Sequence, residues 1–483
     1  MIHQYKSNGY NIVLDVNSGS VHIVDEPVYE LIPLIGELFV GQHKSRDEIL
    51  QILPDMCMEK AEDLPVIGAE IAKAEHVDGD LIREAAEEIL DLADAGLLYT
   101  EDIYEKYIGE FKNRKTVVKA LCLHIAHDCN LACKYCFAEE GEYHGRRTLM
   151  SLETGKKALD FLVSASGNRV NLEVDFFGGE PLMNWDVVKE LVGYGRSLEK
   201  PYNKRFRFTL TTNGVLLNDE IMEFLNREMS NLVLSIDGRK EVNDQMRPHQ
   251  GGQGSYDEIV PKFIRAAESR NQMNYYVRGT FTRYNKDFAK DVIHLADLGF
   301  EQISVEPVVA DESQDYAIRE EDVPALLEEY DKLALEYLKR KKEGKGFQFF
   351  HFMIDLEGGP CVAKRLSGCG SGGEYLAVTP WGDLYPCHQF VGDEDFLMGS
   401  VEEGILRTDI KERFEHCNVY AKEACKSCFA KFYCSGGCAA NAHHFHGSIE
   451  DVYEIGCKLQ RKRIECAIMI KAALADEDKT ESI

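Results

Sequence analysis

The chain has 483 residues, length for roughly two to four domains, and 44% of them are hydrophobic, which excludes an intrinsically disordered chain. No apolar run approaches the roughly 20 residues that span a bilayer, and the opening Met1–Val16 lacks the apolar core of a signal peptide, so no membrane partner is expected and the expected location is cytoplasmic. The formal charge, 55 − 83 = −28, opposes binding to phosphate backbones, so no nucleic-acid partner is expected either.

Residues 1–98 read as a first domain. Ile12, Leu14 and Val16 alternate, Asn17-Ser18-Gly19 supplies a turn, and Val21 and Ile23 resume the alternation, which predicts a β-hairpin. Ser45-Arg46-Asp47-Glu48 predicts a capping box ahead of Ile49 and Leu50, and a helix through Leu81–Ala95 is expected to stop at Gly96. Strands with three helices resemble a winged helix. With 20 acidic and 6 basic residues, this stretch argues against DNA and for a peptide partner.

A linker (99–117) leads into residues 118–320, where strand-like runs alternate with helical ones. The strands are Leu121–Ala126, Asn171–Phe177, Arg207–Thr212, Asn231–Ile236, Tyr275–Thr282 and Gln302–Val305; helices such as Ser151–Ser164, Trp185–Leu198 and Lys286–Leu298 lie between them. Alternating units imply an α/β fold, a parallel sheet closed into a partial (β/α)6 barrel with its chemistry at the C-terminal strand ends. A charged helical linker (321–344) comes next. Residues 345–470 are rich in Gly and Cys with few long periodic runs, so ligand bonds are expected to help hold them together; 471–483 read as a polar tail.

Fifteen cysteines are too many for an ordinary chain of this kind, and a disulfide scaffold suits a short secreted domain instead. Three of them form Cys129-x3-Cys133-x2-Cys136, directly after the first barrel strand. Three thiolates on one loop can wrap one face of an iron–sulfur cubane and leave the fourth iron open, as a catalytic metal requires; zinc or buried thiols are the plainer alternatives. This spacing resembles the radical S-adenosylmethionine (SAM) superfamily. The resemblance implies that the open iron binds SAM, and that one electron cleaves SAM to a 5′-deoxyadenosyl radical that takes a hydrogen from the substrate.

Further positions match the same family. Gly178-Gly179-Glu180 ends the second strand and is similar to its Gly-Gly-Glu motif, whose backbone and carboxylate acceptors hold the SAM ammonium. Thr211-Thr212-Asn213-Gly214 and Ser235-Ile236-Asp237-Gly238 end the third and fourth strands and resemble SAM-binding stretches. Ser235 is in reach of the ribose or carboxylate, and Arg247 can pair with the carboxylate. Turn chemistry and a surface ion pair are the alternatives. Tyr135 is placed to pack near adenine, or is a core aromatic.

Farther on, Cys369, Gly382-x4-Cys387, Cys425-x2-Cys428-x5-Cys434-x3-Cys438 and Cys457 form a pattern that resembles the SPASM domain of peptide-modifying radical SAM enzymes. The resemblance assigns Cys425, Cys428, Cys434 and Cys457 to one auxiliary [4Fe–4S] cluster and Cys369, Cys387 and Cys438 to another, for three clusters in all, with zinc as the alternative for the array. The second set has three ligands; either Cys361 supplies a fourth or one iron stays open to a substrate thiolate. Cys57, Cys122, Cys417 and Cys466 fit no pattern and read as free thiols. Sulfatase-maturing relatives have an aspartate after the Gly-x4-Cys cysteine. This chain has His388, which argues against that activity and leaves a base or a hydrogen bond to the cluster as its role.

The whole chain, including the hairpin Gly9–Gly19, resembles the SCIFF maturases, radical SAM enzymes that form thioether cross-links in small cysteine-rich ribosomal peptides. The resemblance implies that residues 1–98 bind the leader of a precursor peptide by adding a strand to the sheet edge, that a cysteine sulfur joins a carbon of an acceptor residue, and that a flavodoxin or ferredoxin supplies electrons. The alternatives are sulfatase maturation, carbon–carbon cross-linking, and a non-catalytic iron–sulfur or zinc redox sensor.

Overall fold

Asn8 and Gly9 both take positive φ (52° and 87°) and close a two-residue turn between β1 (Ile2–Ser7) and β2 (Tyr10–Asp15). The computed structural model, which describes residues 1–73, 79–109, 116–143, 145, 147–356 and 362–480, thus begins with a strand that the expected hairpin omitted, although Asn-Gly is a strong hairpin signal. β3 (Val21–Val24) pairs with β2 as expected, giving the antiparallel order β1-β2-β3. Four helices come after it where three were expected: Glu26–Gly36, Arg46–Glu59, Pro65–Lys73 and Gly79–Asp94. Both bonds of the Ser45–Glu48 capping box form.

The period of two along β2 sends its side chains into different cores. Val13 joins Val28, Leu31, Ile49 and Ile89 in a core of the N-terminal domain, while Ile12 and Leu14 face the main core of the molecule. The N-terminal domain is therefore built into the rest of the chain through the two faces of one strand.

The barrel has six parallel strands, β4 (Ala120–His127), β5 (Asn171–Gly178), β6 (Arg205–Thr212), β7 (Met229–Ser235), β8 (Tyr275–Phe281) and β9 (Gln302–Pro307), each paired with its neighbour in chain order. Every residue of β4 is buried, as expected for a strand covered on both faces. Ser151 caps the helix Leu152–Ala165, accepting from the Thr154 N–H, and the helix Trp185–Tyr202 ends at left-handed Asn203.

The boundary expected at 344/345 does not separate the sheet from the C-terminal region. β10 (Gln348–Phe349) lies parallel to β9, β11 (Tyr375–Val378) lies parallel to β4, and β12 (Asp383–Tyr385) returns antiparallel to β11. Short strands from beyond that boundary thus cover both barrel edges, which would otherwise expose unpaired backbone. The polar tail is also corrected: a 27-residue helix, Glu454–Thr480, runs through position 470. Among the described residues, no helix is long and apolar enough to cross a membrane.

Candidate active site

β4 ends at His127 and the chain turns directly into the cysteine loop, where the Asp128 carboxylate accepts from the Cys129 N–H at 2.9 Å. The loop has few apolar side chains, so backbone pairing holds it against residues 246–250. Ala132 N–H donates to Pro248 O at 2.8 Å, Lys134 N–H to Met246 O at 2.9 Å, and Gln250 Nε2 to Cys129 O at 2.9 Å. Cys129, Cys133 and Cys136 open onto one cavity of about 380 Å³ at the C-terminal ends of the strands. Burial pushes the Cys129 thiol up to about 12, with Glu180 adding to it, and Cys133 up to about 11 although Arg247 opposes the rise. Metal binding at such thiols must displace their protons.

Gly178 and Gly179 let β5 press against the start of this loop. Gly178 has φ +122°, and a Cβ there meets Ala126 O at 2.3 Å; one on Gly179 meets Asp128 O at 2.1 Å. Gly179 N–H and Glu180 N–H donate back to Ala126 O and Asp128 O at 2.7 and 2.9 Å. Glu180, 1% exposed, accepts from Leu182 N–H (3.0 Å), the Thr212 hydroxyl (2.8 Å) and Asn213 N–H (2.8 Å). Three protein donors occupy most of its accepting capacity. It thus joins the ends of β5 and β6, and it also lines the cavity.

Asp237, unlike Glu180, does not line the cavity. It is fully buried and accepts from the Tyr135 hydroxyl at 2.7 Å and Thr280 N–H at 3.0 Å, and burial raises it to about 6. Tyr135 in turn accepts from Arg247 Nη1 at 3.0 Å, so Tyr135 is tied into a polar triad as well as lining the cavity. Ser235, Thr212, Asn213 and Arg247 all line it. Asn213 Nδ2 reaches Cys129 Sγ at 3.7 Å and Asn130 Oδ1 at 2.7 Å. Two buried donors here, Arg247 Nε and Asn130 Nδ2, have no acceptor. Unmet donors beside grouped thiols suit a ligand that brings acceptor oxygens, as the SAM carboxylate does.

The remaining cysteines form two sets. Cys369, Cys387 and Cys438 act on one another electrostatically, as do Cys425, Cys428, Cys434 and Cys457. Burial pushes Cys387 and Cys425 up to about 12 and Cys457 to about 11. Cys361 lies outside the described residues. Among the described residues, no three His, Cys, Asp or Glu side chains converge on a point fit for a single ion. Sets made entirely of thiols have the donor chemistry that both iron–sulfur clusters and zinc take. Cys417, read as unattached, lines the same small cavity as Cys369 and donates to Ile449 O at 3.2 Å.

Cys438 lines the main cavity together with the three loop cysteines, and so does His388. His388 lies against Phe137 and Phe177, with ring centroids 5.5 and 5.2 Å away, and burial together with Arg278 lowers it to about 4, so its imidazole is neutral.

Other groups escaped the sequence reading. Arg278 on β8 donates to Glu306 on β9 at 2.9 Å, and both face the cavity; charged residues within barrel strands were the available signal. His124 and His127 on β4 share a bond of 2.9 Å around Tyr143, each with its other ring nitrogen unpartnered. Burial lowers His127 to about 4 and His124 well below the usual range.

Residues 123–306 match the model of the radical SAM superfamily. An uncharacterized protein of Methanocaldococcus jannaschii is 31% identical over 138 residues, a match reaching 29% of this chain and 45% of that relative's length. The cysteine-type anaerobic sulfatase-maturating enzyme of Clostridium novyi is 24% identical over 340 residues, 65% of this chain and 86% of that enzyme. The fold is shared with the solved structure of native anSMEcpe with bound AdoMet and Kp18Cys peptide: TM-score 0.61 at 18% identity, over 74% of this chain and 99% of that one. With its cysteine loop after β4 and its cavity at the strand ends, the segment 123–306 that matches this model forms a radical SAM domain.

Proposed function

We propose that the chain is a radical SAM maturase that forms a thioether between a cysteine sulfur and a carbon of another residue in a small, ribosomally made, cysteine-rich precursor peptide. The observation that carries this reading is the single cavity lined at once by Cys129, Cys133 and Cys136 and by Cys438 of the C-terminal set. A peptide in that cavity reaches both a hydrogen-abstracting side and an auxiliary thiol set. The peptide-bound structure that shares the fold supports a peptide substrate.

In this reading Cys129, Cys133 and Cys136 hold the SAM cluster, and Arg247, Ser235, Asn213 and the Gly178-Gly179 backbone bind SAM. Glu180, Thr212, Tyr135 and Asp237 keep those groups in place. Cys369, Cys387 and Cys438 hold one auxiliary cluster, with an iron left for the substrate thiolate, and Cys425, Cys428, Cys434 and Cys457 hold the other. Bound together, these groups supply a carbon-centred radical that takes a hydrogen atom and an acceptor for the electron released as the carbon–sulfur bond forms. Neutral His388, beside Cys387, is able to accept the thiol proton. The N-terminal domain docks the leader along the edge of β3 that, among the described residues, has no strand beside it, and a flavodoxin or ferredoxin provides the electrons.

The test is anaerobic reconstitution with iron, sulfide and zinc analysis, then SAM and dithionite, then precursor peptide. About twelve irons per chain, 5′-deoxyadenosine, and a product lighter by two hydrogens with one thiol closed to alkylation are the expected results. Loss of two hydrogens with every thiol still free identifies a carbon–carbon link instead. Zinc without SAM cleavage overturns the reading.

A further inference from the structure

Lys422 is a buried charge without a counter-charge. It is 3% exposed, and its Nζ donates to the Asp451 backbone carbonyl at 2.9 Å. An ammonium has three protons to donate, yet among the described residues no carboxylate pairs with this one. Lys431, similarly buried, is paired with Asp102 at 2.7 Å, and Lys204 donates to two carbonyls. Burying an ammonium without an anion is strongly unfavourable, so an anion is to be sought nearby.

Lys422 stands among thiols, and the carboxylates on the wall of its cavity, Glu374 and Glu415, are bound elsewhere, to Lys119 and to Thr116 and Lys411. The lysine acts electrostatically on Cys417, Cys425 and Cys438, and it lines the small cavity that holds Cys369. Cys425 belongs to one auxiliary set and Cys438 to the other. The cavity wall beside it is the turn Ser435–Gly437, where all three residues take positive φ, and a Cβ on Gly436 would lie 3.7 Å from Lys422 Cδ and Cε. The loop thiols in the barrel have other neighbours: Glu180 acts on Cys129, and Arg247 and Asp237 act on Cys133.

We propose that Lys422 is a positioning charge shared by the two auxiliary sets, its ammonium stabilising the negative charge that thiolate-ligated iron–sulfur groups carry in both. The inference rests on the ligand sets of the proposed function. A nearby positive charge favours the more reduced form of a cluster and raises its potential. One lysine between two sets raises both together and leaves the barrel set alone.

The test is an EPR-monitored redox titration of the reconstituted full-length wild type, Lys422→Gln and Lys422→Arg, after iron and sulfide analysis of each. In Lys422→Gln both auxiliary midpoint potentials shift to more negative values and the SAM cluster's does not; Lys422→Arg keeps the wild-type values. Unchanged auxiliary potentials in the Gln variant with full iron overturn the proposal, and so does the same shift in both variants, which marks a packing role. Auxiliary iron lost from the Gln variant but kept by the Arg variant also supports it, whereas loss from both overturns it. About four irons in the wild type refutes the auxiliary ligand sets themselves, and with them this role.

Discussion

At the scale of single residues, the polar triad beneath the cysteine loop decides how the site responds to pH. Burial raises Asp237 from 3.8 to about 6, with Arg247 and Tyr135 holding back part of the rise. The folded state thus binds this proton more tightly than the unfolded state. The resulting stability is fully present below about pH 4 and is lost as pH rises through 6, an effect of roughly 3 kcal/mol at about 1.4 kcal/mol per unit. Urea unfolding of wild type and Asp237→Asn apoprotein checks this: their stability difference is expected to move by about that amount in favour of the Asn variant between about pH 4 and pH 7. A difference that stays constant across the range would mean that Tyr135 and Arg247 compensate the ionised carboxylate completely.

At the scale of elements, the segment read as a linker is a strap. Asp102 accepts from the Tyr420 hydroxyl and Lys431 Nζ, each at 2.7 Å, and from Tyr104 N–H at 3.0 Å, so residues 99–109 are bound to the cysteine-rich region. Lys431 is 4% exposed. Removing its partner leaves a buried ammonium uncompensated, at a cost of about 3–5 kcal/mol. Asp102→Ala is expected to lose that much in chemical unfolding and to become sensitive to protease between 99 and 109. A loss below about 1 kcal/mol would instead assign the lysine's stability to its cation–π contacts with Tyr420 and Phe432, each at 5.0 Å.

At the scale of the whole molecule, the C-terminal helix Glu454–Thr480 fastens the regions together. His3 and Tyr5 on β1 bond to Glu465 at 2.9 Å each, Lys462 pairs with Asp331 of the helix Val323–Lys342 at 2.6 Å, Arg463 bonds to His351 at 2.8 Å, and Cys457 lies on its first turns. A chain stopped after Tyr453 is expected to release its N-terminal domain in limited proteolysis well before the full chain does. An unchanged cleavage profile would show that Ile12 and Leu14, buried in the main core, suffice to hold the domain.

Local signals account for what was legible from the order of residues alone. Cysteine spacing marked the loop because nearby thiols on one loop need no tertiary information to be grouped. Alternating periods of strand and helix marked the six barrel units, and the ends of those strands located Gly178, Gly179 and Ser235 around a cavity. β10, β11 and β12 went unread because strands of two to four residues carry no periodicity. Only the tertiary structure decided that Glu180 spends its carboxylate on β6, that Asp237 serves Tyr135 from 102 positions away, that Asp102 meets Lys431 across 329, and that Lys422 stands among thiols with, among the described residues, no carboxylate bound to it. The reason is physical. Propensity and spacing act over a few residues, whereas the partner of a buried polar group is chosen by whatever the fold brings within about 3 Å of it, and nothing in the chain near that group records the choice.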